Sequence, residues 1–120
     1  MSETSFLIIN RRAPYASNHA REGLDAALTA AVFEQPVAML FLSDGVYQLL
    51  ENQNPSSIGQ KNLSANLQVL PMYDIEKLYV CEQALAERGL SKAQLVVPVE
   101  VLDADGINAL IKQQHRVLTF

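Results

Sequence analysis

Hydrophobic residues in this chain fall either into short unbroken runs or into stretches where they return every three or four positions. Ser5 to Asn10 (SFLIIN) is an apolar run that gives way to the polar RRAPYASNH, the pattern of a buried strand. From Ala20 the positions Ala20, Leu24, Ala27, Leu28, Ala31 and Val32 recur at helical spacing, which predicts a helix ending near Phe33 with Ser17 or Asn18 as its cap. Pro36 leads into Val37 to Leu42 (VAMLFL), apolar on both faces as in a strand covered from each side. Ser43-Asp44-Gly45 then has turn chemistry, with Asp44 as the N-cap of one or two helical turns over Val46 to Leu50.

Glu51 to Lys61 is polar, with Ile58 as its apolar anchor, and reads as a surface connection. Leu63, Leu67 and Leu70 stand at i, i+4 and i+7 and predict a helix that stops before Pro71. Lys77 to Cys81 (KLYVC) is the next strand, and Glu82 to Arg88 the helix after it, closed by Gly89 in the left-handed conformation that glycine tolerates. Leu95 to Val101 is strand-like, with Pro98 placing it at a sheet edge or a bend. Asp103 caps a last helix bearing Ile107, Leu110 and Ile111, and His115 to Phe120 is the final strand. Strands alternating with helices predict an α/β fold: a three-layer α/β/α sandwich around a mostly parallel sheet of about five strands, in one domain over residues 1–120.

Composition changes this picture in few places. Hydrophobic residues make up 49% of the 120 and charged residues 18%, a slight apolar surplus that points to a surface used by partners. With 9 basic against 13 acidic residues and a net charge of -4, the chain has no electrostatic basis for holding a nucleic acid directly. Its apolar runs are far shorter than the roughly 20 residues a membrane helix needs, and MSETSFLIINRR lacks a signal-peptide layout, so a cytoplasmic location is expected. Cys81 is the single cysteine, which excludes an internal disulfide and a CxxC pair. His19 and His115 offer no metal-ligand spacing with it, and no metal is expected. No cofactor is expected either, because RRAPYASNH lacks the Gly/Ser/Thr-rich cradle of a flavin or nucleotide phosphate. Asn10-Arg11 and Cys81 stand where a response-regulator receiver would carry acids.

In parallel sheets, reactive groups collect beyond the carboxyl ends of the strands. Cys81 closes one strand and opens a helix, a place where backbone N–H groups favour a thiolate able to take up sulfur as a persulfide. It also fits a small apolar residue packed at a strand end. A phosphatase-type Cys-x5-Arg loop does not fit, because Arg88 follows after six intervening residues that include Glu82 and Glu87. Arg11, His19, Asp44, Gly45, Tyr47, Arg88 and Phe120 complete the candidate face around Cys81. Arg12 reads as a solvated neighbour of Arg11, and His19 as a helix-capping loop residue. Tyr15, Tyr47, Tyr73 and Tyr79 read either as interface anchors or as partly buried core.

Five segments, RRAPY (Arg11 to Tyr15), REGLDAAL (Arg21 to Leu28), FLSDGVYQLL (Phe41 to Leu50), YDIEKLYVC (Tyr73 to Cys81) and LAERGL (Leu85 to Leu90), together resemble the TusC/DsrF family of sulfur-relay proteins, as does the terminal RVLTF. The resemblance implies a DsrE-like fold and a place in a complex where TusB, TusC and TusD form a hexamer with two copies of each. That assembly hands persulfide sulfur to a TusE-like acceptor for 2-thiolation of the tRNA wobble uridine. The DsrE, DsrF and DsrH relatives act instead in dissimilatory sulfur oxidation. In this family the essential persulfide cysteine lies on the TusD/DsrE subunit, at a strand end followed by a helix and an Arg-Gly pair. Cys81 with Arg88-Gly89 matches that position. What the resemblance implies for this chain is an architectural or auxiliary role, and a purely structural subunit is the alternative to a sulfur-carrying one.

Overall fold

In the computed structural model, which describes residues 5–13, 19–50, 67–68, 70–92, 95 and 97–120, the apolar runs become five parallel strands. These are β1 (Phe6–Asn10), β2 (Val37–Phe41), β3 (Lys77–Cys81), β4 (Glu100–Leu102) and β5 (Arg116–Thr119). They lie in the order β4-β3-β2-β1-β5. Phe6 is level with Val37 on one side and Arg116 on the other, and Leu40 with Tyr79, so the strands end together at one pole of the sheet. The α-helices that accompany them among the described residues include α1 (His19–Val32), α2 (Glu82–Glu87) and α3 (Ala104–Lys112). Short 3-10 segments cover Ser43–Leu49 and Leu70–Tyr73.

The strand order dictates which face each connection takes. From β1 to β4 the chain steps in one direction across the sheet, and right-handed crossovers then put every connection on the same face. There α1, α2 and both 3-10 segments bury the larger cluster, with Ile8, Leu24, Met39, Phe41, Leu49, Val80 and Leu85 among its members. The step from β4 back to β5 runs the other way and places α3 on the opposite face, where Leu110 closes over Leu7, Ile9, Ala38 and Leu40. Residues on β1 and β2 therefore feed both cores in alternation, which explains why their apolar runs are unbroken.

Several expectations need correcting. The helical turn after β2 is not capped by Asp44: Leu42 holds the cap position without a side-chain hydrogen bond, and Asp44 sits in the first turn. The strand expected over Leu95 to Val101 is three residues, Glu100–Leu102, because Pro98 cannot donate to a ladder; Leu95 instead makes one antiparallel bridge with Leu50. The edge position expected from Pro98 is observed. Leu67 and Gln68 are helical, and Pro71 lies in the 3-10 turn Leu70–Tyr73. Val32, placed on the apolar face of α1, points outward, since Ala20, Leu24 and Ala27 already fill the buried stripe. Tyr15, the caps Ser17 and Asn18, the connection Glu51 to Lys61 and Leu63 lie outside the described residues.

Candidate functional site

The carboxyl ends of the strands gather the candidate residues into two groups. The first forms at β3. Cys81 ends the strand, half-buried against the larger core, and its backbone is the N-cap of α2. α2 is six residues long with Glu82 in its first turn, and it ends at Arg88. Gly89 follows at φ 64, the left-handed position read from the sequence. Arg88 reaches back across the sheet end: Nε and Nη2 donate to Asp44 Oδ1 at 3.2 and 2.9 Å, and Nη1 donates to the carbonyl of Ala84 at 3.1 Å. Its guanidinium carbon stands 5.9 Å from the centre of the Tyr47 ring, within cation–π reach. The hydrogen bonding that Arg88 donates to the Asp44 carboxylate is the main cause that holds the Arg88 pKa above its ordinary value. Asp44, Tyr47 and Arg88 are thus one network, which ties the helix that begins at Cys81 to the turn that follows β2.

The second group forms where β1 and β5 end side by side. Arg11, Arg12, His19, Glu22, Thr119 and Phe120 line a cleft of about 180 Å³. The Arg11 N–H donates to the Phe120 carbonyl at 2.9 Å, and the Phe120 N–H to Ile9 at 2.9 Å, so the chain beyond β5 stays zipped to β1. His19 opens α1 and pairs with Glu22 at 3.5 Å. Basic and acidic groups therefore share this cleft.

Gly45 joins the two groups. A Cβ on it would fall 1.9 Å from the carbonyl oxygen of Asn10, so only glycine lets the turn after β2 lie against the end of β1. The Leu42 N–H donates to that same Asn10 carbonyl at 3.0 Å. Three contributors to this seam were missed in the sequence. Gln48 is buried and donates from Nε2 to the Arg12 carbonyl at 2.9 Å. Asn10 is buried as well, with Nδ2 donating to the Ile8 carbonyl at 3.3 Å. Its Oδ1 lies against the bare Cα of Gly23, where a Cβ would come within 2.5 Å. The available signal was polarity in the wrong place: Gln48 interrupts an otherwise apolar turn, and Asn10 closes an apolar strand.

This arrangement offers one half-buried cysteine at a strand end, a cation network holding the adjoining helix, and a small mixed-charge cleft. Among the described residues, no three His, Cys, Asp or Glu side chains gather as a metal site would need. Nor is any helix among them long and apolar enough to cross a membrane.

Known proteins similar to the chain agree with this architecture. A TusC homolog from Pseudomonas aeruginosa is 46% identical over 115 residues, covering 96% of this chain and 97% of that protein. A TusC homolog from Vibrio parahaemolyticus is 38% identical over 120 residues, covering all of both chains. Among solved structures, the E. coli ychN protein superposes with a TM-score of 0.85 at 22% identity over 99% of this chain and all of that one. A protein of unknown function from Methanobacterium thermoautotrophicum follows at a TM-score of 0.61 and 14% identity, covering 93% of this chain and 91% of its own. These two bear on the fold. A model of the DsrE/DsrF-like family matches residues 4–120, and with TusC homologs related along their whole length the chain belongs to the DsrE/DsrF-like family of sulfur-relay proteins.

Proposed function

We propose that this chain is the TusC-like subunit of a TusBCD-type relay, which passes persulfide sulfur toward 2-thiolation of the tRNA wobble uridine. The observation that carries this reading is end-to-end similarity to TusC homologs, at 46% identity for the Pseudomonas aeruginosa protein. Its partners are a TusB-like and a TusD-like subunit, two copies of each in a heterohexamer, and a TusE-like acceptor reached through the complex. The chain is an auxiliary subunit, with the main persulfide cysteine on the TusD-like partner. The heavily tied-down surroundings of Cys81 support this, since Arg88 is already engaged by Asp44, Ala84 and Tyr47.

The same similarity favours tRNA thiolation over dissimilatory sulfur oxidation, because these relatives are named for TusC and not for DsrF. Deleting the gene in its own host and measuring 2-thiouridine in bulk tRNA tests the proposal. Loss of the thiolated nucleoside, restored by the intact gene, is the expected result. An unchanged 2-thiouridine content would overturn it.

A further inference from the structure

Six large hydrophobic side chains stand exposed among the described residues, and four of them gather at one pole. Val32 and Phe33 lie where α1 ends, and Met72 and Tyr73 in the 3-10 turn Leu70–Tyr73. Both segments precede the amino ends of their strands, so this pole is opposite Cys81. Phe33 is 70% and Met72 82% exposed. Between the two segments runs a groove of about 320 Å³, walled by Pro36, Val37, Tyr73 and Ile75 and edged by Glu34 and Asp74.

The groove is held in shape rather than frayed. Glu34 and Asp74 both take left-handed backbone conformations, at φ 60 and 63. Their N–H groups close turns onto the carbonyls of Ala31 and Pro71 at 2.9 and 3.0 Å. An apolar surface already fixed in this way loses little conformational freedom when it is covered.

We propose that this groove, together with the exposed Phe33 and Met72 that adjoin its lining residues Glu34 and Tyr73 in the chain, is the docking surface for a different protein chain, one that inserts an apolar side chain ringed by lysine or arginine. The charges decide between occupants. Glu34 and Asp74 edge the groove, and Glu76 is exposed just beyond it. Lys77, the nearest basic residue along the chain, lines an adjoining cleft that shares Pro36 and Val37 with the groove, and Glu34, Asp74 and Glu76 outnumber it there. A second copy docked about a two-fold axis would set these acidic edges near their own copies, whereas a basic rim on another protein complements them. The inference rests on the reading that the chain works as a subunit of a complex, and adds where a companion sits.

The full chain is titrated into its TusB-like and TusD-like companions, and affinity is measured by calorimetry. Phe33→Ser combined with Met72→Ser should weaken association by about tenfold or more, while Asn108→Ser on the exposed side of α3 leaves it unchanged. Glu34→Lys with Asp74→Lys should weaken it as well, and flatten its dependence on salt. Wild-type affinity in the Phe33/Met72 double variant, with an unaltered circular dichroism spectrum, would overturn the inference and leave the complex intact as a reading. Failure of the wild-type chain to bind any companion is instead the failure of that reading, and the inference falls with it. A thiol reagent supplies the second measurement, on Met72→Cys in a Cys81→Ser background. Fast labelling of the chain alone and protection in the mixture are expected. Protection in the isolated chain, by self-association or by its own residues 51–66, also overturns the proposal.

Discussion

Arg88 and Asp44 are 44 residues apart in the chain, yet two nitrogens of one converge on a single carboxylate oxygen of the other, at 3.2 and 2.9 Å. Arg88 is mostly covered, at 20% side-chain exposure, while Asp44 is 59% exposed. An open ion pair is ordinarily a weak contributor. Here the same guanidinium also ties down the Ala84 carbonyl and stacks near Tyr47, so its contacts are made or lost as a set.

The first prediction concerns that set. Arg88→Lys keeps the charge but cannot present Nε and Nη2 to one oxygen, so it should destabilise the chain nearly as much as Arg88→Ala. In a double-mutant cycle with Asp44→Asn, the combined variant should lose little more than the worse single one. Urea denaturation at low and high salt measures both effects. Simple additivity would mean the two residues do not cooperate.

Two glycines should respond to alanine in different ways. At Gly45 a methyl group would fall 1.9 Å from the Asn10 carbonyl oxygen and 2.6 Å from its carbon, both backbone atoms that cannot swing aside. Gly45→Ala should therefore cost about 3 kcal/mol or more, since it must part the turn after β2 from the end of β1. At Gly89 nothing lies within 4 Å, but φ is +64, so Gly89→Ala carries only the left-handed penalty of about 1–2 kcal/mol. Equal losses in denaturation midpoint would contradict this reading of the seam.

What the sequence revealed of this fold was whatever local patterning controls. Strand runs such as Phe6–Asn10 and Lys77–Cys81, the Gly89 stop and the Asp103 cap, whose Oδ1 accepts from Gly106 at 2.8 Å, depend on residues a few positions apart. The recognised segments led further, to the family itself. What stayed hidden depends on distant pairing. Asp44 has the chemistry of a cap, and only the fold brings Arg88 close enough to claim its carboxylate. Gln48 looks like a surface residue until the Arg12 carbonyl supplies its partner inside. Val32 fits a helical stripe, yet a stripe read from spacing is wider than the sheet that covers it.

His115 and Ser5 offer a test of how the edge strand is held. The Ser5 N–H donates to His115 Nδ1 at 3.0 Å, the His115 N–H donates to Ser5 Oγ at 3.2 Å, and the Arg116 N–H donates to the Ser5 carbonyl at 3.0 Å. Nδ1 acts as an acceptor in this clasp, so the ring proton belongs on Nε2. Nitrogen NMR of the imidazole should report that tautomer. His115→Ala should cost about 1 kcal/mol and speed amide exchange in Ser5 and Arg116 before it affects β2. A ring protonated on Nδ1 in the neutral form would rule the clasp out.

The last prediction separates a sulfur carrier from an auxiliary subunit. If Cys81 carried sulfur, its thiolate would attack the outer sulfur of a donor persulfide, the donor S–S bond would break, and the donor would leave as a thiolate. Cys81 would then hold the extra sulfur until an acceptor thiolate repeated the exchange. The proposed division of labour gives that work to the TusD-like partner, so Cys81→Ser should leave transfer of labelled sulfur through the reconstituted complex within about twofold of wild type, a change too small for a lost chemical step. Cys81 is half-buried against the larger core, and serine at such a place costs a modest amount of stability. Measuring transfer alongside the melting temperature keeps the two effects apart. A fall in transfer of a hundredfold or so, with complex assembly intact, would move Cys81 from the frame of the relay into its path.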